Sequence, residues 1–418
     1  MISVGLVGCG DFGRRQHLAR MLLPSPRVRV TAVCDVDETH RLAAAELVRE
    51  AGQPRPAIHA DFRDLVTRDD VDAVLVATPD HWHALVSVAA LEAGKDVYCE
   101  KPLSFSIAEG RAIADAARRH GRVFQTGSQQ RSDAWYFGRA HELVRRGAIG
   151  RVRRVALHIG GTPAGTWSRP RTPPPQLDWN VWLGPAPWAE YTPERCHYSF
   201  RWYGDYSGGT LTDHGAHQCD IAQWILGTDG SGPTAVSGRG TFRADQPHDV
   251  PLTFDVEFTY GLHGDATVRL TSDRSPRGGQ VEIEGTVGWL SVSRRRLTAS
   301  DPDILDTAAD AEGVVDATRA DATPGAAEQT YRERLTTSYR RHHDDWLDAI
   351  ERRRGGGPPG GTRCDAETGH RAATLCHLAT SVIRLGRPLR WDPVVEEFVD
   401  DAPANRLLTR PMRGAWGL

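Results

Sequence analysis

The chain of 418 residues contains no apolar run that approaches the ~18 residues of a membrane-spanning helix. It also lacks an excess of either charge: 51 Lys and Arg stand against 54 Asp and Glu, a formal net charge of −3. Nucleic-acid binders concentrate positive charge, so neither a nucleic acid nor a membrane is expected as a partner. Cysteine pairing is missing as well. Cys9, Cys34, Cys99, Cys196, Cys219, Cys364 and Cys376 are odd in number and form no CxxC, which argues against a disulfide framework and a zinc ribbon. A reduced, cytoplasmic protein is expected, since no basic segment or cleavage signal precedes the first apolar stretch. Gly (42) and Pro (26) are too few for a low-complexity chain, and no internal repeat occurs. What is present is apolar material: 39% hydrophobic residues, enough for two or three cores at roughly 150 residues per domain. Its distribution is uneven, with seven of the 12 tryptophans falling between Trp135 and Trp224.

Residues 2–126 alternate short apolar runs with helical stretches. Strands are expected at 2–8, 28–34, 71–77, 95–100 and 122–126, with helices at about 14–23, 38–51, 82–93 and 106–120. That alternation implies βαβ units and a parallel sheet covered on both faces. After about 128 the pattern changes. In PLTFDVEFTY (251–260), Leu252, Phe254, Val256, Phe258 and Tyr260 alternate with polar residues, and 264–271 and 279–292 behave alike. These read as antiparallel strands with one wet face, which helices at about 132–146 and 213–226 could cover. The fold class expected is α/β: an N-terminal Rossmann doubly wound parallel sheet, residues 1–127. It is followed by a C-terminal α+β domain, 128–418, with a large, mainly antiparallel open sheet. A mobile loop is expected at about 300–328, helices at 337–353 and 366–385, and an extended surface tail at about 387–418.

GLVGCGDFG places Gly8, Gly10 and Gly13 directly after the first strand, with Asp11 and Phe12 in the turn. This is GxGxxG in the context that gives it meaning. Gly8 permits the turn, Gly10 admits a pyrophosphate, and Gly13 lets helix and strand pack closely. The helix start then offers free N–H groups to the phosphate. Asp35 ends the second strand, 22 residues past Gly13, where a carboxylate binds ribose hydroxyls and repels a 2′-phosphate. With no Arg or Lys following before Arg41, the expected cofactor is NAD.

Two further segments end strands at the same edge. VATPDHWH (76–83) contributes Thr78, Pro79, Trp82 and His83; YCEKPLS (98–104) contributes Glu100 and Lys101. A Glu-Lys pair is by default a solvated surface pair, and its position is what raises a functional role. In GGTLTDHGAHQCDIAQWILG (208–227), Asp213, His217 and Asp220 recur at i, i+4 and i+7, on one helical face. A carboxylate one turn from an imidazole can fix its tautomer and raise its basicity. His81, His83, His214, His217 and Asp213 have spacings also seen in zinc proteins. Lining the cofactor and relaying protons explains them with fewer assumptions, and no metal is expected.

These segments, with DWNVWLGPAPW (178–188), DYSGGTLTDHGAHQCD (205–220) and RPLRWDPVVEEF (387–398), resemble the Gfo/Idh/MocA oxidoreductases over nearly the whole chain. The resemblance implies that Lys101, Asp213 and His217 complete an active site, and that His83 borders the cofactor's ribose and nicotinamide. It implies hydride transfer between a sugar or polyol carbinol and nicotinamide. His217 would take the hydroxyl proton, Asp213 would orient it, and Lys101 would stabilise the developing alkoxide. Position 3 of a pyranoside is a plausible target, and a homodimer or homotetramer is expected. Relatives usually carry Trp where this chain has His214, which puts a second imidazole near the site. Two alternatives share the fold: an NAD-dependent glycosidase working by transient oxidation, with His214 or Tyr206 as a further base, and a non-catalytic sugar or dinucleotide sensor. Gln129, His197, Arg201, Asp205 and Tyr206 lie in segments expected to face the substrate. Of the clustered tryptophans, Trp167, Trp179, Trp182, Trp188 and Trp202 fall in an irregular stretch, and Trp182 is the first choice for cofactor contact.

Overall fold

A computed structural model of the chain describes residues 1–261, 266–306 and 324–417. Six parallel strands form the first sheet: β1 (Ile2–Val7), β2 (Val28–Cys34), β3 (Ala57–His59), β4 (Ala73–Val76), β5 (Asp96–Cys99) and β6 (Phe124–Thr126). Their order is β3-β2-β1-β4-β5-β6. The winding reverses between β1 and β4, the switch point at which open α/β sheets bind their ligands. Every residue of β4 and β5 is buried, which is why β4 reads as an unbroken apolar run, while β5 opens on the buried Asp96. Helices Phe12–Leu22 and Glu38–Glu50 cover one face, and His83–Glu92 and Ile107–Arg119 the other. The first of these is wound as a wide π-helix, closed by Leu23 N–H on the Leu18 carbonyl at 3.0 Å.

The far end of the chain completes both faces. Trp346, Leu347 and Ile350 of helix Pro324–Arg354 pack with Ile2, Val4 and Leu6, while Ala366 and Ala373 of helix Ala366–Leu385 join the opposite layer. Arg353 fastens the long helix to the fully buried Asp96 of β5 at 2.8 Å.

The second sheet has nine strands: β7 (Val152–His158), β8 (Ala235–Thr241), β9 (Thr253–Tyr260), β10 (Ala266–Thr271), β11 (Val281–Gly285), β12 (Trp289–Val292), β13 (Leu297–Ala299), β14 (Leu389–Asp392) and β15 (Glu397–Phe398). They run in the order β13-β12-β11-β7-β10-β9-β8-β14-β15, antiparallel except for the β7–β10 pair. The expected α/β plus mainly antiparallel architecture is the one observed. In β9, Phe254, Val256, Phe258 and Tyr260 are buried and Glu257 is exposed, as the alternation requires. Helices Phe137–Arg145, Gly215–Leu226 and Ala366–Leu385 cover the apolar face.

Several expectations need correction. The tail is not a surface appendage: Leu389, Trp391 and Phe398 are at most 3% exposed and belong to the second core. The helix expected at 337–353 begins at Pro324. Strands β3, β7, β8, β13, β14 and β15 were not anticipated. The loop expected at 300–328 lies outside the described residues over 307–323, and Asp303–Asp306 is a helical turn. No described helix is long and apolar enough to cross a membrane.

Candidate active site

The cleft at the β1–β4 switch point encloses about 1020 Å³ between the two sheets. Its floor is the glycine turn. Gly8 has φ +93°, and a Cβ there would lie 2.5 Å from the Ala77 backbone; one on Gly13 would lie 2.0 Å from the Gly8 carbonyl. The chain itself therefore demands these two glycines. Gly10 is different, since a Cβ there meets nothing within 4 Å. Open ground above a backbone turn at a helix start fits a pyrophosphate.

Asp35, one residue past β2, accepts the Cys9 amide at 2.7 Å and the Asp37 amide at 2.9 Å, tying the glycine turn to the second strand. His40 Nδ1 lies 3.7 Å from the same carboxylate, which keeps lone pairs able to accept ribose hydroxyls. Arg41, the nearest cation in sequence, is spent on the Asp35 carbonyl at 3.2 Å and on Glu38 at 3.4 Å. Little is left to neutralise a 2′-phosphate, so the residues present fit NAD.

Trp182 walls the cleft. It is 5% exposed, stacks on Trp179 at 4.8 Å and meets Tyr206 edge-on at 5.0 Å. Its carbonyl accepts from the indole N–H of Trp82 at 2.9 Å and lies 3.1 Å from His81 Nε2. Burial pushes His81 down to about 3, so that ring is neutral. Trp202 is also buried, whereas Trp167 and Trp188 are 69% and 67% exposed and belong to no wall.

At the chemical end, Lys101 Nζ donates to the Asp213 carboxylate at 2.5 Å and to the Asp213 carbonyl at 2.9 Å. Arg201 Nε lies 3.3 Å from the other carboxylate oxygen. Burial alone would raise the Asp213 pKa, but Lys101 and Arg201 hold it far below the ordinary carboxylate range. His217, one turn further on, is 7% exposed and its Nδ1 has no partner. Burial, then the fields of Lys101 and Arg294, push its pKa well below the ordinary value, so the imidazole is neutral at physiological pH. Asp213 and His217 thus share a wall, yet the carboxylate is bonded to two cations rather than to the imidazole. The helix breaks at His214, with Asp213 closing the turn Thr210–Asp213 and His217 on helix Gly215–Leu226. Asp220, expected on the same face, instead holds Arg131 through two 2.9 Å contacts.

Glu100 stands behind Lys101 rather than before it. It is buried, with Oε1 3.0 Å from His17 Nε2 and Oε2 accepting the Lys101 amide at 3.2 Å. Burial would raise its pKa, and the His17 hydrogen bond overrides that and lowers it. The contact clips the helix after the glycine turn to the turn that carries Lys101.

Of the anticipated residues, Gly8, Gly10, Asp11, Phe12, Gly13 and Asp35 line the cleft, as do Thr78, Pro79, Trp82, Glu100, Lys101 and Trp182. His197, Arg201, Asp213, His214 and His217 line it too. Four do not. His83 is buried between the Pro102 and Thr78 carbonyls, at 2.8 and 3.0 Å, and braces the two strand ends. Burial opposes its charge, while Cys99, Asp80 and the Pro102 carbonyl favour it and bring it to about 10. Gln129 donates to the Tyr339 hydroxyl at 2.9 Å, Tyr206 is fully buried behind Trp182, and Asp205 is off the lining. Sequence reasoning missed Gln218, Gln280, Arg294, Tyr339 and Trp416, which the cleft also includes. The last four come from hairpins, the long helix and the tail, where no local pattern marks a site. Among the described residues, Asp37, His40 and His197 have potential metal-ligand atoms within 4.8 Å of one another; none of the residues weighed for zinc is in that group.

A dinucleotide cleft whose far end carries a Lys–Asp pair beside a neutral histidine defines a nicotinamide-dependent oxidoreductase. Family comparison agrees. Residues 2–128 match the oxidoreductase family's NAD-binding Rossmann fold, and 164–293 with 344–418 match its C-terminal alpha/beta domain. Inositol 2-dehydrogenase 1 of Saccharopolyspora erythraea is 28% identical over 358 residues, spanning 85% of this chain and 88% of its own. Levoglucosan dehydrogenase of Pseudarthrobacter phenanthrenivorans is 30% identical over 323 residues, 71% of this chain and 74% of that one. The fold is shared with the WlbA dehydrogenase of Bordetella pertussis, solved with NADH and UDP-GlcNAcA: TM-score 0.65, 17% identity, 94% of this chain and 98% of that one. The chain belongs to the Gfo/Idh/MocA family and is an NAD-dependent oxidoreductase.

Proposed function

We propose that this enzyme oxidises a ring hydroxyl of a sugar, glycoside or polyol to the ketone, or runs the reverse reduction, with position 3 of a pyranoside the first candidate. The observation that carries the reading is Lys101, whose ammonium gives two of its three donors to Asp213 and keeps one for a reacting oxygen. Bound NAD supplies the hydride acceptor. Beside it, neutral His217 takes the hydroxyl proton, and Lys101 stabilises the alkoxide as charge develops. Asp213 holds Lys101 in place rather than orienting the imidazole. Several buried polar atoms without protein partners belong to residues of this cleft: Thr78 Oγ1, His217 Nδ1, Gln218 Oε1, Gln280 Oε1 and Arg294 Nε. Orphaned donors and acceptors of both kinds suit a polyhydroxylated ligand. The names of the inositol and levoglucosan dehydrogenases point the same way.

In this scheme residues 1–127 hold the cofactor and 128–418 supply substrate contacts and the oligomer interface. The glycine turn and Asp11 cradle the pyrophosphate, Asp35 the ribose, and Trp182 the nicotinamide end. The protein works in the cytoplasm as a homo-oligomer; seven free, buried cysteines suit a reducing compartment. The test is NAD reduction across a panel of sugars, glycosides and polyols. NADH accumulation supports a dehydrogenase; release of aglycone without net NADH would replace it by the glycosidase, and inertness towards the whole panel would overturn catalysis.

A further inference from the structure

Arg294 occupies the tip of the β12–β13 hairpin, and the hairpin is built to hold it. Ser293 N–H bonds the Arg296 carbonyl at 2.8 Å, and Ser293 Oγ accepts the Arg295 and Arg296 amides at 3.2 and 3.1 Å. The two neighbouring arginines are both engaged: Arg295 lies 3.8 Å over the Tyr331 ring, and Arg296 donates to the Arg277 carbonyl at 2.6 Å. Arg294 is the exception. It turns into the cleft, and its Nε is buried without a hydrogen-bond partner. No carboxylate among the described residues lies within ion-pair distance of it. Asp133 feels its field, but that carboxylate accepts the Trp135 and Tyr136 amides at 2.9 and 3.0 Å. The guanidinium also acts on His214, His217 and Tyr339, which places it at the substrate end rather than the adenosine end.

The cations there are not equally provided for. Lys101 and Arg201 share the Asp213 carboxylate and also sit in the fields of buried Glu100 and Asp80, whereas no carboxylate among the described residues pairs with Arg294. A buried guanidinium N–H without an acceptor is unfavourable in the free protein, and a planar fork of donors matches a carboxylate or phosphate. Gln280, with its Oε1 also unpartnered, lines the same cleft and suits a neighbouring hydroxyl.

We propose that the substrate is an anionic sugar, with Arg294 binding its acidic group while Lys101 and His217 face the reacting hydroxyl. This rests on the dehydrogenase reading and narrows its substrate class. Gluco-, galacto- and mannuronate, the corresponding hexoses and their 6-phosphates are titrated into NADH-loaded enzyme by calorimetry, and NADH formation is then followed with each. At least one acid should bind 10-fold or more tightly than its neutral counterpart, the uronate and phosphate series telling which anion is taken. Arg294→Met should abolish that ratio with NADH affinity unchanged, and Arg294→Lys should retain part of it. Neutral sugars binding as tightly as acids, binding by none of the acids, or an acid-to-neutral ratio untouched in Arg294→Met would each overturn the proposal. The two readings fail separately. Turnover of neutral sugars alone leaves the dehydrogenase intact and removes the anion site, whereas acids that bind without any NADH forming keep the anion site and count against oxidation.

Discussion

Replacing Lys101 with Met removes an ammonium while keeping most of the side chain's apolar bulk. In the ground state that ammonium makes two bonds to Asp213, at 2.5 and 2.9 Å, and both are lost. Arg201, at 3.3 Å, still neutralises the carboxylate, so the folded state should lose only ~1–3 kcal/mol. The catalytic effect is larger. In the proposed reaction the third ammonium donor meets an oxygen that becomes an alkoxide only in the transition state, and donors of that kind are worth ~10²–10³ in kcat. Lys101 is also one of the cations that depress the His217 pKa, after burial itself. Removing it raises that pKa. A base works only when deprotonated, so the acid limb of activity should lie at higher pH in the variant than in the wild type, where the His217 pKa is held well below its ordinary value. The assay is initial NADH formation against pH, with NADH affinity and a denaturant midpoint measured in parallel. A Lys101→Met enzyme within about fivefold of wild type, with its acid limb unmoved, would refute the assignment of both residues.

Three other outcomes follow from the geometry. Gly10→Ala should fold normally and lose NAD affinity by 10-fold or more, because its Cβ intrudes only on the cofactor's space. Gly13→Ala, whose Cβ would sit 2.0 Å from the Gly8 carbonyl, should destabilise the protein itself; equal melting temperatures for the two would contradict this. Asp35→Ser should weaken NAD, narrow the preference over NADP and lower stability by ~1–3 kcal/mol, since two amide bonds end on that carboxylate; an unchanged cofactor ratio would be the contrary result. Arg131→Met strands the fully buried Asp220 and should cost ~3–5 kcal/mol by denaturant titration at unchanged m-value, with a loss below ~1 kcal/mol counting against it.

Most of the first sheet was legible because buried parallel strands and glycine turns are local patterns, and most of the residues that line the cleft floor follow from them. The second sheet was legible only where one face is wet. β9 alternates cleanly, but β7 carries Arg153 and Arg154 beside its buried Val155 and Leu157, and that mixture hides the period. The site was half legible. Lys101, Asp213 and His217 announce themselves by motif, yet the spacing of Asp213 and His217 suggested a bond that Lys101 and Arg201 pre-empt. Tyr339 and Arg294 arrive from elements more than 190 residues away from Lys101 in sequence, and no local pattern could have paired them with it.

The long helix at residues 324–354 gives the chain an order of assembly. The strands of the cofactor sheet are synthesised first, but Trp346, Leu347 and Ile350, which seal one of its faces, are made only after more than four fifths of the chain. Until then Ile2, Val4 and Leu6 lack those partners, and Asp96 waits for Arg353. The cofactor half is therefore begun early and completed late, because part of its core is supplied by the last fifth of the chain.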